Sequence, residues 1–237
     1  MGRKLLCMLL AVAGMVLSAW FRPNQGEESA AGFCPPITAP QGTIQELNKP
    51  QEVAFPCVLE DSGLVAEYMR GYDGPYLEDG SNDPVKGVAA LMVYNAGSRD
   101  ISSAMVTVER KRERLHFFLT WLPAGCRVLV LESGRAAFES GEVTGCSVTG
   151  VRWETFWADG VTVEMEENGR LLVTNRGGRA LRNVRLRYKL FSQKGDFYVG
   201  GITYCICVGN LGSGESRDIA AGGDGLGFGR VVAVLTD

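Results

Sequence analysis

An internal duplication limits what this chain can fold into more than any other feature. Residues 91–108 read LMVYNAGSRDISSAMVTV and residues 171–188 read LLVTNRGGRALRNVRLRY, aligned without a gap eighty positions apart. Leu91, Val93, Asn95, Gly97, Arg99, Ile101, Ala104, Val106 and Val108 meet Leu171, Val173, Asn175, Gly177, Arg179, Leu181, Val184, Leu186 and Tyr188. A second echo, Leu122-Pro-Ala-Gly125 against Leu211-Gly-Ser-Gly214, lies eighty-nine positions apart, so the second copy is nine residues longer between the two landmarks. Repeats of this length are duplicated modules.

The pattern inside each copy is that of strands. Ala104, Val106 and Val108 alternate with Met105, Thr107 and Glu109, as on a half-buried strand. Val161, Val163 and Met165 do the same, followed by Asn168-Gly169, a strong hairpin signal because both residues suit a type I′ turn. Asn95 and Gly97, and Asn175 and Gly177, are expected to turn the chain through their tolerance of positive φ. Val184, Leu186, Tyr188 and Leu190 are expected on one face, with Arg185, Arg187 and Lys189 on the other. Glycine, 31 of 237 residues against an average of about 7%, clusters in turns as an all-β chain requires.

The second copy resembles a known family. Leu171-Leu-Val-Thr-Asn-Arg-Gly-Gly178, Leu181-Arg-Asn-Val184, Tyr188-Lys-Leu-Phe-Ser192 with Gly195, and Leu211 with Gly214-Glu215 are similar to the FxLYD domains of exported bacterial proteins. Tyr188, Leu190, Phe191 and Ser192 stand where that family has Phe, Leu, Tyr and Asp, over a match spanning roughly 160–220. The first copy shares the Asn-x-Gly strand pair but carries Glu109-Arg-Lys-Arg112 where the signature would stand. The resemblance implies an immunoglobulin-like or fibronectin-like sandwich and carries no catalytic residues with it. The expected fold is therefore all-β, with two tandem immunoglobulin-like antiparallel β-sandwich modules at 61–147 and 148–237. Short strands with frequent turns agree with it.

Ahead of the modules, Arg3 and Lys4 precede an apolar run from Leu5 that ends near Ser18-Ala19. Residues 1–19 are read as a signal peptide or a membrane anchor, and both place the bulk of the chain outside the cytoplasm, with membrane association through this segment. Residues 20–60 hold six prolines and form a Pro-rich arm or linker.

Several function classes are excluded by composition. The net charge of −3 becomes −5 without Arg3 and Lys4, and carries no signature for nucleic acid. With His116 as the single histidine, neither an imidazole-rich metal site nor a nucleophile–base pair emerges, and the chain is read as a non-enzyme without cofactor or metal. Asp73, Asp79, Asn82 and Asp83 cluster without calcium-loop spacing and are read as turn residues. From Asn168 to Lys189 the chain has seven cations and no acid, so Arg179, Arg182, Arg185, Arg187 and Lys189 form a candidate binding face on one strand. The partner it suits is an envelope protein or an anionic envelope polymer. Six cysteines follow the leader; Cys34–Cys57 and Cys126–Cys146 are the expected disulfides, while Cys205 and Cys207, two apart on one strand, are expected as buried thiols or bonded elsewhere. The function these features suggest is a non-catalytic binding or interaction protein of the bacterial cell envelope, or else a structural spacer in an envelope complex.

Overall fold

The computed structural model describes residues 55–81, 83–111, 113–166, 170–220 and 229–237. The leader, most of the Pro-rich arm, Cys34, Asn82, Asn168 and Gly169 lie outside the described residues. Thirteen strands and no helix are present among the described residues: β1 (Cys57–Leu59), β2 (Leu64–Pro75), β3 (Pro84–Asn95), β4 (Ile101–Arg110), β5 (Arg114–Leu122), β6 (Arg127–Leu131), β7 (Val143–Trp153), β8 (Val161–Met165), β9 (Leu171–Asn175), β10 (Leu181–Ser192), β11 (Phe197–Leu211), β12 (Ser216–Ile219) and β13 (Gly229–Leu235). The chain is all-β, as the period-two patterning predicts.

The duplication is visible strand by strand. β2 to β7 are repeated by β8 to β13 in the same order, and each repeat splits into two groups of three: β2-β3-β6 with β5-β4-β7, then β12-β9-β8 with β11-β10-β13. One buried cluster joins Leu64, Leu91, Val93 and Val130 to Val106, Val108, Phe117 and Leu119, so the first two groups pack face to face. A second cluster does the same for Val161, Val173 and Leu171 against Val184, Leu186 and Val208. A third lies on the reverse side of β3 and β6, where Tyr76 covers Val88, Ala90, Met92, Leu129 and Leu131. Burial on both faces accounts for the unbroken apolar run of β3, where a half-exposed strand would alternate.

The repeats are not separate. A seven-stranded sheet runs β1-β2-β3-β6-β11-β10-β13, crossing from one repeat into the other where β6 meets β11. That contact is parallel, Val128 opposite Tyr198 and Leu129 opposite Val199, whereas every other strand pair in the sheets is antiparallel. The expectation of purely antiparallel sheets is corrected here: β6 and β11 come from different repeats, so no hairpin sets their direction. β7 also pairs with β4 as far as Trp153, running across the expected boundary at 147/148.

Each repeat turns on a buried asparagine. Asn95 Nδ2 donates to the carbonyls of Arg99 (2.9 Å) and Leu122 (3.2 Å), and its Oδ1 accepts from Gly97 N at 3.1 Å. Asn175 repeats this with Arg179 (2.8 Å), Leu211 (3.1 Å), Gly212 (3.0 Å) and Gly177 N (2.9 Å). The backbone repeats it too: Asn95 N donates to Cys126 O and Gly125 N to Asn95 O, as Asn175 N does to Glu215 O and Gly214 N to Asn175 O. The reason expected for these residues was wrong. Positive φ belongs to Gly63, Gly125, Gly160 and Gly214, and to neither Asn95, Gly97, Asn175 nor Gly177. Asparagine serves as a bracket of three bonds at Asn95 and four at Asn175, and Gly97 and Gly177 admit a neighbouring backbone: a Cβ on Gly63 or Gly160 would stand 3.0 Å from the Cα of Gly97 or Gly177.

Asn175→Ala removes the donor to three carbonyls and the acceptor for Gly177, and is expected to lower unfolding stability by about 2–4 kcal/mol, since buried polar groups left unpaired cost about 1–3 kcal/mol each. Asn175→Asp should fare no better, because a carboxylate cannot donate. Urea unfolding curves measure both; a loss under about 1 kcal/mol would remove the bracket from the account of the fold.

Candidate functional site

The arginine-rich strand β10 does not present one cationic face. Val184 and Leu186 point into the second core with Arg185 and Arg187 opposite, as alternation predicts. The register then slips, against β13 between Arg187 and Tyr188 and against β11 between Tyr188 and Leu190. A bulge reverses the inward and outward sides. Lys189 is consequently fully buried, which corrects its expected place on the exposed face. The remaining cations are largely answered by carboxylates from distant strands: Arg170 by Asp218 (2.6 Å), Arg176 by Glu164 (3.1 Å) and Arg185 by Asp237 (2.9 Å). Arg187 lies over the Trp121 ring, 5.5 Å from its centroid. Arg179 and Arg182 stay exposed.

Buried Lys189 closes the seam between the repeats. β11 carries Gly200 to Thr203 as extra residues opposite Lys189, because Tyr188 pairs with Tyr204 while Leu190 pairs with Val199. Backbone groups freed by such a loop need other partners. Lys189 Nζ donates to Gly201 O (3.0 Å), Ile202 O (2.8 Å) and Thr120 O of β5 (3.0 Å). From the first repeat, Glu78 accepts Gly201 N–H on both oxygens (2.8 and 2.9 Å) and Leu131 N–H at 2.9 Å. Thr120 Oγ1 adds a bond to Gly201 O at 2.7 Å. The two charges thus meet on one residue, gripping opposite ends of Gly201. Only glycine fits there, since a Cβ would lie 1.8 Å from Phe118 O.

Burial drives the Lys189 ammonium down to about 7, against the pull of Glu78, and burial likewise raises the Glu78 carboxyl, opposed by the N–H groups of Gly201 and Leu131 and by Lys189. Glu78 did not stand out in the sequence, and Lys189 did so only as a member of an exposed cationic face. Glu78 sat inside an apparent turn, and Lys189 completed an alternating run of cations. The only available signal was the nine-residue excess of the second copy.

Two shallow concavities share a turn arginine but differ in the segment that forms the opposite wall, the end of β7 in one and the chain before β8 in the other. One of about 400 Å³ is lined by Ser98, Arg99, Asp100, Trp153, Glu154 and Thr155. The other, about 350 Å³, is lined by Asp159, Gly160, Asn175, Gly177, Arg179 and Leu181 among others. Both sit on the Asn-x-Gly-x-Arg turn of their repeat, so the asparagine bracket that fixes each turn also positions an arginine at each hollow. Arg99 lies over the Trp153 ring at 4.2 Å, and Asp100 Oδ1 accepts Ala124 N–H at 2.9 Å. The first hollow combines a guanidinium with two carboxylates, Asp100 and Glu154, and the second combines one with Asp159 and several glycines. That mixture suits a ligand bearing both hydrogen-bond donors and acceptors better than a pure polyanion. Sequence reasoning aligned Arg99 with Arg179 without seeing that the pair would share a setting.

The remaining candidates are placed as follows. Among the described residues no group of three or more His, Cys, Asp or Glu side chains is arranged to hold a metal ion. Asp79 caps Ser81 N and pairs with Arg135, and Asp73 accepts Gly87 N–H. His116 is held by a ring contact to Thr107 Oγ1 at 3.3 Å. Cys126 and Cys146 are both free thiols, contrary to the expected bond: Cys126 faces Tyr198, and Cys146 faces Cys57. Cys205 and Cys207 are exposed rather than buried, opposite Arg187 and Arg185. Comparison of the chain with protein-family models, with curated proteins and with solved structures finds no match.

The seam generates a pH signature. Between about 7 and 10.5 the unfolded chain holds the Lys189 proton and the folded chain does not, so stability rises with pH across that window. From 4.5 up to the raised value of Glu78 the folded chain holds the extra proton, so stability falls as pH rises there. Thermal melts across pH 4–10 should therefore dip near neutrality. Lys189→Met should cost about 3–5 kcal/mol at neutral pH by stranding Glu78 and the carbonyls, and should abolish the alkaline rise. Glu78→Gln should abolish the acid-side fall. An unchanged alkaline slope in Lys189→Met would place the titration elsewhere.

Proposed function

We propose that the protein is a non-catalytic binding protein of the bacterial cell envelope, exported by its N-terminal segment and built of two FxLYD-like, immunoglobulin-type sandwich modules. The observation that carries this reading is the recurrence of an arginine beside a shallow hollow at the Asn-x-Gly-x-Arg turn of both repeats, together with the continuous sheet that joins them. A pair of like sites in fixed relation gains affinity for an extended or repeating partner, because the second contact forms without a new loss of translational freedom. An envelope protein or envelope polymer displaying mixed donors and acceptors is such a partner.

The strand face has less in its favour than the hollows. Arg185 is neutralised by Asp237 and Lys189 is buried, so the cations left for an anionic polymer are Arg179, Arg182 and Arg187. A structural spacer role is the second reading, favoured by the buried seam, which stiffens the join between repeats.

Binding of the full chain to isolated envelopes of the source cell, measured across a salt series, tests the proposal. Arg99→Ala and Arg179→Ala should each weaken binding tenfold or more, corresponding to at least about 1.4 kcal/mol, and the double variant should abolish it. Binding lost only in Arg182→Ala/Arg185→Ala/Arg187→Ala, with steep salt dependence, would transfer the site to the strand face and overturn the hollows. Absence of binding by the wild type would leave the spacer reading.

A further inference from the structure

The first repeat holds a pair of thiols that its edges bring together. β1 is three residues long and pairs only with β2, at one end of the seven-stranded sheet. β7 is an edge of the facing three-stranded sheet, where Cys146 stands opposite Val108 of β4. Cys57 and Cys146 are both half-buried and pack against the same core, so β1 and β7 meet across the open side of that core. After burial, Cys57 is the neighbour that most raises the Cys146 thiol. The other described thiols are placed elsewhere: Cys126 contacts Tyr198, and Cys205 and Cys207 lie on the exposed side of β11.

We propose that Cys57 and Cys146 form a disulfide that staples β1, and with it the chain arriving from the Pro-rich arm, to the facing sheet. The reaction is thiol–disulfide exchange with a disulfide oxidant, either a small molecule or a protein. Cys57, deprotonated, attacks one sulfur of the oxidant; the oxidant's S–S bond breaks, a mixed disulfide forms, and the first oxidant thiol leaves. Cys146, deprotonated, then attacks the Cys57 sulfur, forming the Cys57–Cys146 bond and releasing the second oxidant thiol. The two protons given up by the protein end on the two released thiols, and the two electrons reduce the oxidant. Burial, and after it the neighbouring Cys57 thiol, push the Cys146 thiol up to about 12, which lowers its thiolate fraction and slows its attack. The bond closes a loop from 57 to 146, spanning nearly the whole first repeat, and so restricts the unfolded chain strongly. It replaces the pairings expected from spacing alone. It also holds whether the envelope partner proposed above is right or wrong.

The test uses the full chain, prepared reduced, equilibrated with oxidised and reduced glutathione over a range of ratios and then alkylated. Non-reducing peptide mapping by mass spectrometry should recover Cys57 linked to Cys146. Oxidation should raise the Tm of the wild type and of Cys126→Ser by about 5–10 °C, and should not raise that of Cys57→Ser or Cys146→Ser. Recovery of a Cys34–Cys57 or Cys126–Cys146 peptide would overturn the proposal. Full alkylation of Cys57 and Cys146 in the most oxidising mixture would also overturn it. The wild-type map decides the matter even if a serine variant fails to fold.

Discussion

Gly201 is gripped from both ends by buried charges, and the outward loop of β11 at the join of the two repeats depends on that grip. The parallel contact between β6 and β11 consists of two residue pairs, and Phe191, Tyr198 and Val232 of the second repeat add buried apolar surface by joining the first core. The seam is reinforced where β11 loops outward, by Lys189 on its carbonyls, Glu78 on its N–H, and Thr120 from the strand that crosses it. Burying an ammonium and a carboxylate costs several kcal/mol per ion before their bonds offset it, roughly by the Born argument. An apolar pair would avoid that cost, but it could not satisfy the backbone that the loop exposes. The charges are therefore tied to this one geometry, which is what a junction between duplicated units requires if it is not to slip.

The junction is also where the copies stop resembling each other. The position eighty residues before Lys189 is Glu109, which is paired with Arg114 at the tip of a hairpin. β11 runs fifteen residues against nine for β5, and the surplus includes the outward loop that receives Lys189. On the other side, the segment carrying Tyr76 and Glu78 follows β2 in the first repeat, covers the reverse face of β3 and reaches the seam. Each copy has thus diverged on the side that meets its neighbour. The asparagine-bracketed turns, which make no contribution to the seam, share three side-chain bonds at matching atoms, and Asn175 adds a fourth to Gly212 O.

This division explains what could be read from the sequence. The turns at Asn95 and Asn175 were legible because their hydrogen bonds are mostly local or fall at a fixed landmark, the Leu-x-x-Gly echo. Their mechanism was not, because an asparagine beside glycine suggests positive φ when the side chain is instead satisfying carbonyls. The Arg face was misjudged for two physical reasons. The carboxylates that answer the cations of this stretch, Asp218, Glu164 and Asp237 opposite Arg170, Arg176 and Arg185, lie outside the window in which charge was counted. Alternation also assumes an unbroken register, and one bulge was enough to send Lys189 inward. Cysteine spacing joined Cys126 to Cys146, which are free thiols with different neighbours because β7 closes on β1 across the core.

Fusion at β6 and β11 also addresses a hazard that each repeat carries. A three-stranded sheet ends in two open edges, and an open edge invites pairing with another chain. Joining the sheets removes one edge from each repeat over the shared residues. The edges that remain carry other protection: β8 presents Glu164 in an ion pair with Arg176, and β7 faces Cys57 on the short strand β1. Where β10 and β13 close the far side, Arg185 is pinned by Asp237 just beyond the last strand. The cations that looked like a docking ribbon therefore largely serve the sheet itself, whereas Arg99 and Arg179, at the two turns, each line a hollow.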